Sequence, residues 1–405
     1  MRVAIIGGGA AGFFSAIAVK NNYPYAEVTI FEKSKKLLSK VRISGGGRCN
    51  LTNALQSRKE FLAAYPRGKK LLKSAFNTFD NNDTIKWYES KGIPLIIQED
   101  NCVFPKSQNS ESITNILISE AKSKNIAIMT EHGISKISPH KEKIILEFTN
   151  QNIRPEFFDK VIVTTGGSPT KKGLKWIEDT GHKIIDPVPS LFTFNMPEEP
   201  IKKLMGIVIE NTLVSLPGTK LSTTGPILIT HWGMSGPAIL KLSSLGAVIL
   251  NEKKYHFKVK INWINRINTE SINQDLTQII NTHPKKKLSN IKPFLLPERL
   301  WLFLLDKVGL AYDKKWNELG KKGINKIINI LTNDLYRVSG KTTFKEEFVT
   351  CGGVSLESID ISTMQSKIVK NLYFAGEILD IDGITGGFNL QAAWTTGFVA
   401  GKLNS

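Results

Sequence analysis

The sequence predicts an α/β protein in which a doubly wound parallel sheet is interrupted by a β-rich part and a helical part. Three observations predict this fold class. An apolar run at residues 2–6 leads into a glycine-rich turn and a helical pattern, which is typical of the start of a parallel α/β sheet. Residues 251–340 are rich in Lys, Asn and Ile with helical spacing, and glycine-rich α/β patterning returns near the C-terminus. The 405 residues exceed what one hydrophobic core organises, which predicts two or three domains.

The N-terminal segment has the order strand, turn, helix, strand. Residues 2–6 are apolar and predict a buried parallel strand. Residues 7–12 read GGGAAG and contain the pattern GxGxxG, and residues 13–20 predict a helix. Residues 27–31 predict a second strand, with Glu32 at its end. This context makes the glycine pattern more specific than it is alone.

The spacing of these residues predicts a dinucleotide site in a Rossmann-like domain. Gly7 permits a tight turn, Gly9 lets the backbone approach a pyrophosphate, and Gly12 lets the helix pack close to the strand. The helix N-terminus presents free N–H groups and the positive end of its dipole to the phosphates. Glu32, 20 residues after Gly12, can accept hydrogen bonds from the ribose hydroxyls, and its charge argues against NADP.

Two later segments bear on which dinucleotide is bound. Residues 40–53 contain a glycine triplet flanked by Arg48, Asn50 and Asn53, and Arg48 can offset phosphate charge or hydrogen-bond a flavin carbonyl. Residues 161–167 predict an apolar strand that ends in Thr-Gly-Gly. Ligands of open α/β sheets bind at such carboxyl ends of strands.

A third segment lies at the far C-terminus. Residues 372–377 predict a strand that ends in Gly-Glu, and a glycine-rich turn then opens a last helix at residues 387–390. The carboxylate of Glu377 can bind a ribityl hydroxyl, and the helix N-terminus can stabilise negative charge at the N1–O2 edge of a reduced flavin. An NAD domain does not need so remote an element, whereas FAD is long enough to reach it. The sequence therefore predicts FAD.

The patterning also predicts the domain boundaries. Apolar runs at residues 207–215 and 227–230 predict strands, and residues 271–282, 297–308 and 323–335 have helical spacing. The predicted domains are a discontinuous FAD-binding domain at 1–189 and 341–405, a β-rich inserted domain at 190–250 with further strands near 335–350, and a helical insert at 251–340.

Composition excludes several classes of protein. No apolar run approaches the ~20 residues that span a bilayer, and no signal peptide is evident. Three separated cysteines without CxxC argue against disulfides and structural zinc, so we expect a cytoplasmic protein without a metal site. The net charge of +18 fits either a polyanion partner such as RNA or a lysine-rich solvated surface. We favour the solvated surface because the lysines are spread along the chain.

These motifs resemble the bacterial family of aminoacetone-oxidase-like NAD(P)/FAD-dependent oxidoreductases, which includes a bile-acid-intermediate reductase. The most specific matches are SGGGRCNLTN at residues 44–53 and GEILDIDGITGGFNLQ at residues 376–391. The chain departs from the family pattern at residues 168–175, which lack an acidic, glycine-rich stretch, and at Cys351, where a small residue is usual. The resemblance implies a FAD domain split between both ends of the chain, a β-rich insertion, and a helical insertion within that.

The resemblance also implies FAD contacts at the matched positions, and these join the residues that the glycine patterns indicate. The complete set of predicted cofactor-binding residues is Gly7, Gly9, Ala11, Gly12, Glu32, Lys33, Lys40, Ser44, Gly45, Arg48, Asn50, Ile134, Thr165, Gly166, Gly376, Glu377, Gly387, Phe388, Asn389 and Leu390.

Flavin carries the redox chemistry, so the protein mainly binds and orients it. A second complete GxGxxG with its own acidic partner is missing, so NAD(P)H is expected only as a transient electron donor. His231 is either a proton donor near the cleft or a histidine that hydrogen-bonds within a tight loop. Cys49 and Cys351 are interpreted as packed residues rather than a redox pair. Asp380 and Asp382 are expected to order the turn around the flavin.

Three functions remain open. The leading hypothesis is an FAD-dependent oxidoreductase that transfers hydride between a small organic substrate or NAD(P)H and flavin N5, with an enone-like acceptor or oxygen. The second is an RNA-modifying flavoprotein that uses the basic surface, for which the charge pattern gives no organised stripe. The third is a sensor that holds FAD without turnover, since fold does not fix function. The substrate, the electron donor and the oligomeric state stay open.

Overall fold

The computed structural model describes residues 1–342 and 349–403. The chain divides into two compact units, one formed by Met1–Ser190 with Phe344–Ser405 and the other by Leu191–Thr343. Each unit has a hydrophobic core of its own. In the described part of the chain, no helix combines the length and the apolar character needed to cross a membrane.

The described strands are short, and most have seven residues or fewer. In chain order they are β1 (Arg2–Ile6), β2 (Glu27–Phe31), β3 (Thr52–Asn53), β4 (Leu95–Ile97), β5 (Cys102–Pro105), β6 (Ala127–Met129), β7 (Ile134–His140), β8 (Lys143–Phe148), β9 (Glu156–Phe158), β10 (Lys160–Val163), β11 (Ile184–Pro189), β12 (Thr193–Asn195), β13 (Val208–Ser215), β14 (Ser222–Ile229), β15 (Gly233–Ser235), β16 (His256–Asn262), β17 (Asp334–Ser339), β18 (Lys341–Thr342), β19 (Thr350–Val354) and β20 (Leu372–Phe374).

The helices are distributed over both units. They are α1 (Ala10–Asn22), α2 (Ser39–Ile43), α3 (Arg58–Ala63), α4 (Lys69–Ala75), α5 (Asn81–Ser90), α6 (Glu111–Ser123), α7 (Lys175–Glu178), α8 (Pro237–Leu245), α9 (Ala247–Glu252), α10 (Thr269–Thr282), α11 (Glu298–Lys307), α12 (Gly320–Thr332) and α13 (Phe388–Ala400).

The first unit is built on a five-stranded parallel sheet with the order β20-β10-β1-β2-β6. The central strand β1 pairs with β10 on one side and β2 on the other, and its residues Val3, Ala4 and Ile5 are fully buried. A continuous apolar run is what a strand covered on both faces requires. The predicted α/β fold with a Rossmann-like parallel sheet is confirmed.

Segments from both ends of the chain contribute strands to this sheet. The strand β20, more than 300 residues from the N-terminus, pairs with β10 and extends the sheet that β1 begins. Helix α13 packs closely on α1 at Gly397, which has no side chain. A Cβ at this position would lie 2.7 Å from the carbonyl oxygen of Ala11. Smaller antiparallel sheets complete the unit, with the orders β3-β5-β4, β7-β8-β9 and β11-β19.

The second unit contains a seven-stranded antiparallel sheet with the order β17-β16-β13-β14-β15-β12-β18, together with α8 to α12. The fully buried side chains of its core include Trp263, Trp301 and Trp316. Strands β16 and β17 pair with each other within residues 251–340, the range predicted as a helical insert. The alternation of buried and exposed residues in these strands was not recognised in the sequence, because that range is rich in Lys and Asn. The helices occupy only the middle part of the range.

Several element boundaries differ from those that the sequence predicts. Helix α12 begins at Gly320, three residues before the predicted start, and ends at Thr332 because β17 follows at once. Helix α10 agrees with the prediction and is capped by the side chain of Asn268, which accepts hydrogen bonds from two N–H groups of the first turn. In the region near 335–350, where further strands are predicted, residues 343–348 lie outside the described part.

Candidate cofactor-binding site

The turn after β1 needs glycine at two positions. Gly7 has φ of +116°, and a Cβ there would lie 2.6 Å from the carbonyl oxygen of Thr164 at the end of β10. A Cβ at Gly12 would lie 1.9 Å from the carbonyl oxygen of Gly7. Helix α1 can therefore approach the turn only because residue 12 has no side chain.

Gly9, unlike Gly7 and Gly12, has open space around its Cα. It is the N-cap residue of α1, and a Cβ there would have no atom within 4 Å. No side chain caps α1, and its first turn has no acidic residue. The free N–H groups at this helix end therefore face space into which a phosphate fits. The residues present thus fit the pyrophosphate of a dinucleotide.

Glu32 is held at the carboxyl end of β2. Its Oε2 accepts a hydrogen bond from the Gly8 N–H at 2.9 Å, and its Oε1 accepts from the N–H and hydroxyl of Ser34 at 2.9 and 3.0 Å. Lys33 lies beside Gly133, where a Cβ would be 3.2 Å from the lysine Cβ. The structure thus brings Glu32, Lys33 and the start of β7 at Ile134 to the same edge of the sheet.

Lys40 and Glu377 connect two segments that are far apart in sequence. The Lys40 ammonium lies 2.6 Å from Glu377 Oε2, and Glu377 Oε1 accepts a hydrogen bond from the Thr350 N–H at 2.9 Å. A Cβ at Gly167 would lie 2.5 Å from that same carboxylate oxygen. Next to it, Gly166 has a φ of +73° and space around its Cα, and Thr165 is exposed. The Thr-Gly-Gly turn therefore lies against Glu377, the carboxylate that pairs with Lys40.

The loop at residues 44–53 docks on the start of α13. With its amide oriented to suit both partners, Asn50 donates to the Thr52 carbonyl at 3.1 Å and accepts from the Gly387 N–H at 3.3 Å. The Trp394 indole donates to the Leu51 carbonyl at 3.0 Å. Gly387 has φ of +88° and precedes α13, whose first turn has no side-chain cap and no acidic residue. A second free helix N-terminus therefore lies beside this loop.

Other predicted residues of this region are engaged with the protein itself. The Arg48 guanidinium stacks over Phe104 at 4.2 Å and donates to the Gly45 carbonyl at 3.1 Å. The Asn389 side chain makes two 2.8 Å hydrogen bonds with the backbone of Gly383. Phe388 packs against the rings of Phe61 and Tyr65. Of the remaining predicted positions, Gly376 lies against Ala11, since a Cβ at Gly376 would be 2.9 Å from the Ala11 Cβ. Ser44 is the C-cap residue of α2, and Leu390 lies in the first turn of α13.

A buried ion pair supports the turn before α13, and its basic member was missed by the sequence reasoning. Arg67 forms a two-pronged salt bridge with Asp382, whose carboxylate is fully buried and also accepts a hydrogen bond from the Ser190 hydroxyl. Asp380 accepts from the Gly352 N–H at 2.9 Å, and burial raises the pKa of its carboxyl. Both aspartates thus hold this turn to other segments of the first unit, and their part in shaping it around the flavin stays a prediction.

The two cysteines near this region are buried. Burial raises the pKa of Cys49 to about 12, which a hydrogen bond with Ser44 lowers in part. Burial raises the pKa of Cys351 to about 12, with an opposing contribution from Arg67. Since the thiolate is the reactive form, neither side chain is activated at neutral pH. This agrees with their interpretation as packed residues.

His231 lies in the second unit, in the turn between β14 and β15. It is exposed, and its ring centroid lies 4.4 Å from that of Trp232. The indole of Trp232 donates to the Thr193 hydroxyl at 3.0 Å. Helix α8 follows with Pro237 as its first residue, and its N-cap is Gly236. A proton-donor role for His231 stays a prediction.

The comparison with protein families is decisive. The model described as the HI0933-like protein Rossmann domain matches residues 1–403. The chain belongs to this family. The expected resemblance is thereby confirmed. Together with the phosphate cradle at α1, membership identifies the chain as an FAD-dependent oxidoreductase with FAD as its cofactor.

Relatives of known name match over nearly the whole chain. A 3-dehydro-bile acid delta(4,6)-reductase from Clostridium scindens is 25% identical over 409 residues, which cover 99% of this chain and 98% of that protein. Ribosomal RNA dihydrouridine synthases from Haemophilus influenzae and Escherichia coli are 29% and 27% identical, and the matches cover 97% and 98% of this chain and 96% of each relative.

Solved structures share the fold at low sequence identity. A 3-ketosteroid-delta4-(5alpha)-dehydrogenase from Rhodococcus jostii gives a TM-score of 0.53 at 11% identity, covering 98% of this chain and 95% of that one. An Escherichia coli quinol fumarate reductase gives a TM-score of 0.52 at 14% identity, covering 100% of this chain and 70% of that one.

Proposed function

We propose that this flavoenzyme reduces a carbon–carbon double bond conjugated with a carbonyl group, and that its substrate is uridine in RNA. The observation that carries the proposal is the location of the positive charge. Residues 191–343 contain 22 Lys and Arg against 11 Asp and Glu, so that this unit holds +11 of the chain's +18. Positive charge that is concentrated in one unit is expected for a protein that binds a polyanionic substrate, whereas a merely solvated surface would carry its charge evenly.

The names of the relatives support this reading. Two of them, at 29% and 27% identity, are ribosomal RNA dihydrouridine synthases. The bond that such a reaction reduces, C5=C6 of uracil, is conjugated with the C4 carbonyl. A delta(4,6)-reductase acting on a 3-oxo steroid addresses the same kind of bond, so one chemistry accounts for both names.

The chain's residues have distinct tasks in this proposal. FAD, once bound and reduced by an electron donor, would supply hydride for the β carbon of the conjugated bond. The N-termini of α1 and α13 would hold its pyrophosphate and its ring, while Glu32 would bind the ribose. Lys40 and Glu377 would bind the ribityl region. His231 is the proposed donor of the proton that the α carbon takes up, and NAD(P)H is the proposed electron donor.

A small enone is the second candidate substrate. The match with the Clostridium scindens reductase covers 99% of this chain and 98% of that relative, so neither protein has a large extra segment that would argue against a shared substrate class. Such a substrate has no need of a concentrated positive charge. The two candidates therefore differ in one measurable respect, because only turnover of RNA should weaken steeply with salt.

The test is a parallel assay of both substrates. The holoprotein is incubated anaerobically with NADH or NADPH and either deproteinised ribosomal RNA or a 4,6-dien-3-one steroid. Nucleoside mass spectrometry of the RNA should detect uridine with two added hydrogen atoms. Reduction of the steroid alone would refute RNA as the substrate and support a small enone. Reduction of neither substrate would favour a protein that binds FAD without turnover.

A further inference from the structure

The second unit has a groove between α10 and α12 that the flavin chemistry does not use. The groove has a volume of about 870 Å³. Its lining is rich in amide side chains, which come from both helices and from the segments directly before and after α12. They are Asn273, Asn317, Asn325, Asn329 and Asn333. Amide groups both donate and accept hydrogen bonds, as the edges of unpaired bases do.

The groove is also apolar on one side. Ile280, Ile324 and Ile328 line it together with Trp316. Trp316 is fully buried, and its indole Nε1 has no hydrogen-bond partner among the residues that the structure describes. A buried N–H without a partner is uncommon in a folded protein and costs free energy. An acceptor group of a ligand in this groove would satisfy it.

Lysines border the groove along α12. Lys321 lines it directly, and it shares a neighbouring depression on the same helix with Lys322 and Lys326. Positions 321, 325, 329 and 333 follow one another at four-residue spacing, so they form one face of α12. This face therefore carries one lysine at the start of α12, followed by two asparagines on the helix and a third at its C-cap.

More lysines reach this edge through pairing of two loop segments. The backbone N–H of Trp316 donates to the Lys286 carbonyl at 3.0 Å, and the backbone N–H of Asn317 donates to the Pro284 carbonyl at 3.1 Å. Lys287 and Lys315 form an antiparallel bridge. The run of three lysines at 285–287 thus lies beside a second pair of lysines, next to Asn317 of the groove.

The charges of this edge are largely uncompensated. Among the described residues, Lys315 has an ion pair with Glu318 at 3.9 Å, whereas Lys285, Lys286 and Lys287 have none. Of the residues lining the groove, the acidic one is Glu270, at the N-terminus of α10. Exposed lysines close together repel each other, and a polyanion relieves that repulsion.

We propose that the groove between α10 and α12, with its lysine edge, binds an unpaired segment of the RNA substrate. The asparagine amides hydrogen-bond the base edges, and the lysines neutralise the phosphates. This inference rests on the proposed function for the choice of RNA as occupant. It assigns the helical part of the second unit to substrate docking and leaves the redox chemistry to the flavin site.

The test compares two triple variants of the holoprotein. The first, Lys285→Gln with Lys286→Gln and Lys287→Gln, removes three charges at the groove edge. The control, Lys59→Gln with Lys122→Gln and Lys141→Gln, removes three exposed charges of the first unit. Binding of single-stranded oligouridine is measured by fluorescence anisotropy over a range of salt concentrations. A third variant, Asn325→Ala, removes one amide from an exposed helix position.

We expect the first triple variant to raise the dissociation constant about tenfold or more, and to reduce the salt slope by about 2, since each lost phosphate contact in single strands removes about 0.7. Asn325→Ala should weaken single-stranded RNA several-fold and leave the salt slope unchanged. The control triple variant should retain wild-type binding. Reduction of the flavin by NAD(P)H should be equal in all four proteins, because none of these residues belongs to the flavin site.

The outcomes separate this inference from the proposed function. Equal RNA binding by both triple variants would overturn the docking surface, even if the wild type reduces uridine. Displacement of the RNA by polyglutamate as effectively as by RNA would also overturn it, by showing a general polyanion site for acidic proteins. Binding that depends on the lysines and on Asn325, without uridine reduction, would refute the proposed reaction and leave the RNA surface standing.

Discussion

The same substitution at two glycines of the first turn should have opposite consequences. Gly12→Ala places a Cβ 1.9 Å from the Gly7 carbonyl oxygen and 2.9 Å from the Thr164 hydroxyl oxygen. Contacts under 3.0 Å to backbone require a shift, so helix α1 must move by roughly 1 Å against β1 and β10. Overpacking of this kind costs about 1–3 kcal/mol, occasionally more.

Gly9→Ala meets no such obstacle in the protein. Its backbone has φ of −97°, which alanine adopts, and no atom lies within 4 Å of the new Cβ. Loss of glycine's freedom in the unfolded chain should stabilise the protein by about 0.4–1 kcal/mol. The methyl group would, however, occupy the space that the pyrophosphate needs. We expect FAD affinity to fall about 100-fold, equivalent to about 2.8 kcal/mol.

Two measurements on apoprotein and holoprotein distinguish the variants. Thermal unfolding of the apoprotein should give a Tm lower by about 2–4 °C for each kcal/mol lost in Gly12→Ala, and an unchanged or slightly higher Tm in Gly9→Ala. FAD titration should show the affinity loss in Gly9→Ala. The reasoning is refuted if Gly9→Ala binds FAD like the wild type, or if Gly12→Ala unfolds at the wild-type temperature.

Three further predictions concern the rest of the molecule. Burial lowers the pKa of His182 to about 4, so the unfolded chain binds a proton near pH 6 that the folded chain does not. Stability should therefore fall by about 3 kcal/mol as the pH drops from about 6.5 to 4, and urea unfolding of His182→Gln should show a flatter pH dependence. Asp382→Asn should destabilise the apoprotein by about 3 kcal/mol, because the largely buried Arg67 guanidinium loses its charge partner; a loss under 1 kcal/mol would contradict this account. His231→Gln should slow oxidation of the reduced flavin by substrate at least tenfold and leave its reduction by NAD(P)H unchanged, as stopped-flow absorbance would show; equal slowing of both half-reactions would instead indicate a structural role.

How much of the site the sequence predicts depends on how local each contact is. The turn at residues 7–12 and Glu32 lie within one strand–helix–strand unit, so their spacing alone predicts their positions. Lys40 and Glu377 meet because β20 joins the sheet that β1 begins, and the glycine-rich patterns at both ends of the chain indicated this. The sequence therefore predicted that the two ends of the chain share one domain, and it named Lys40 and Glu377 separately as cofactor contacts without predicting their ion pair.

Contacts between segments that carry no recognisable sequence pattern could not be predicted. Arg67 and Asp382 are 315 residues apart, and nothing around Arg67 marks it as the partner of a buried carboxylate. The lysine run at 285–287 was visible, but its neighbours were not, since they depend on the pairing of Lys287 with Lys315. The charge was interpreted as a solvated surface because the lysines are spread along the chain, and RNA as a partner stays a proposal.

Single-turnover oxidation of the reduced flavin tests the central claim most directly. The holoprotein is photoreduced without oxygen, freed of donor, and mixed with excess deproteinised ribosomal RNA. The account predicts that flavin absorbance near ~450 nm returns, with about one dihydrouridine formed per flavin. A flavin that stays bleached with RNA but is reoxidised by a dienone steroid would contradict the account.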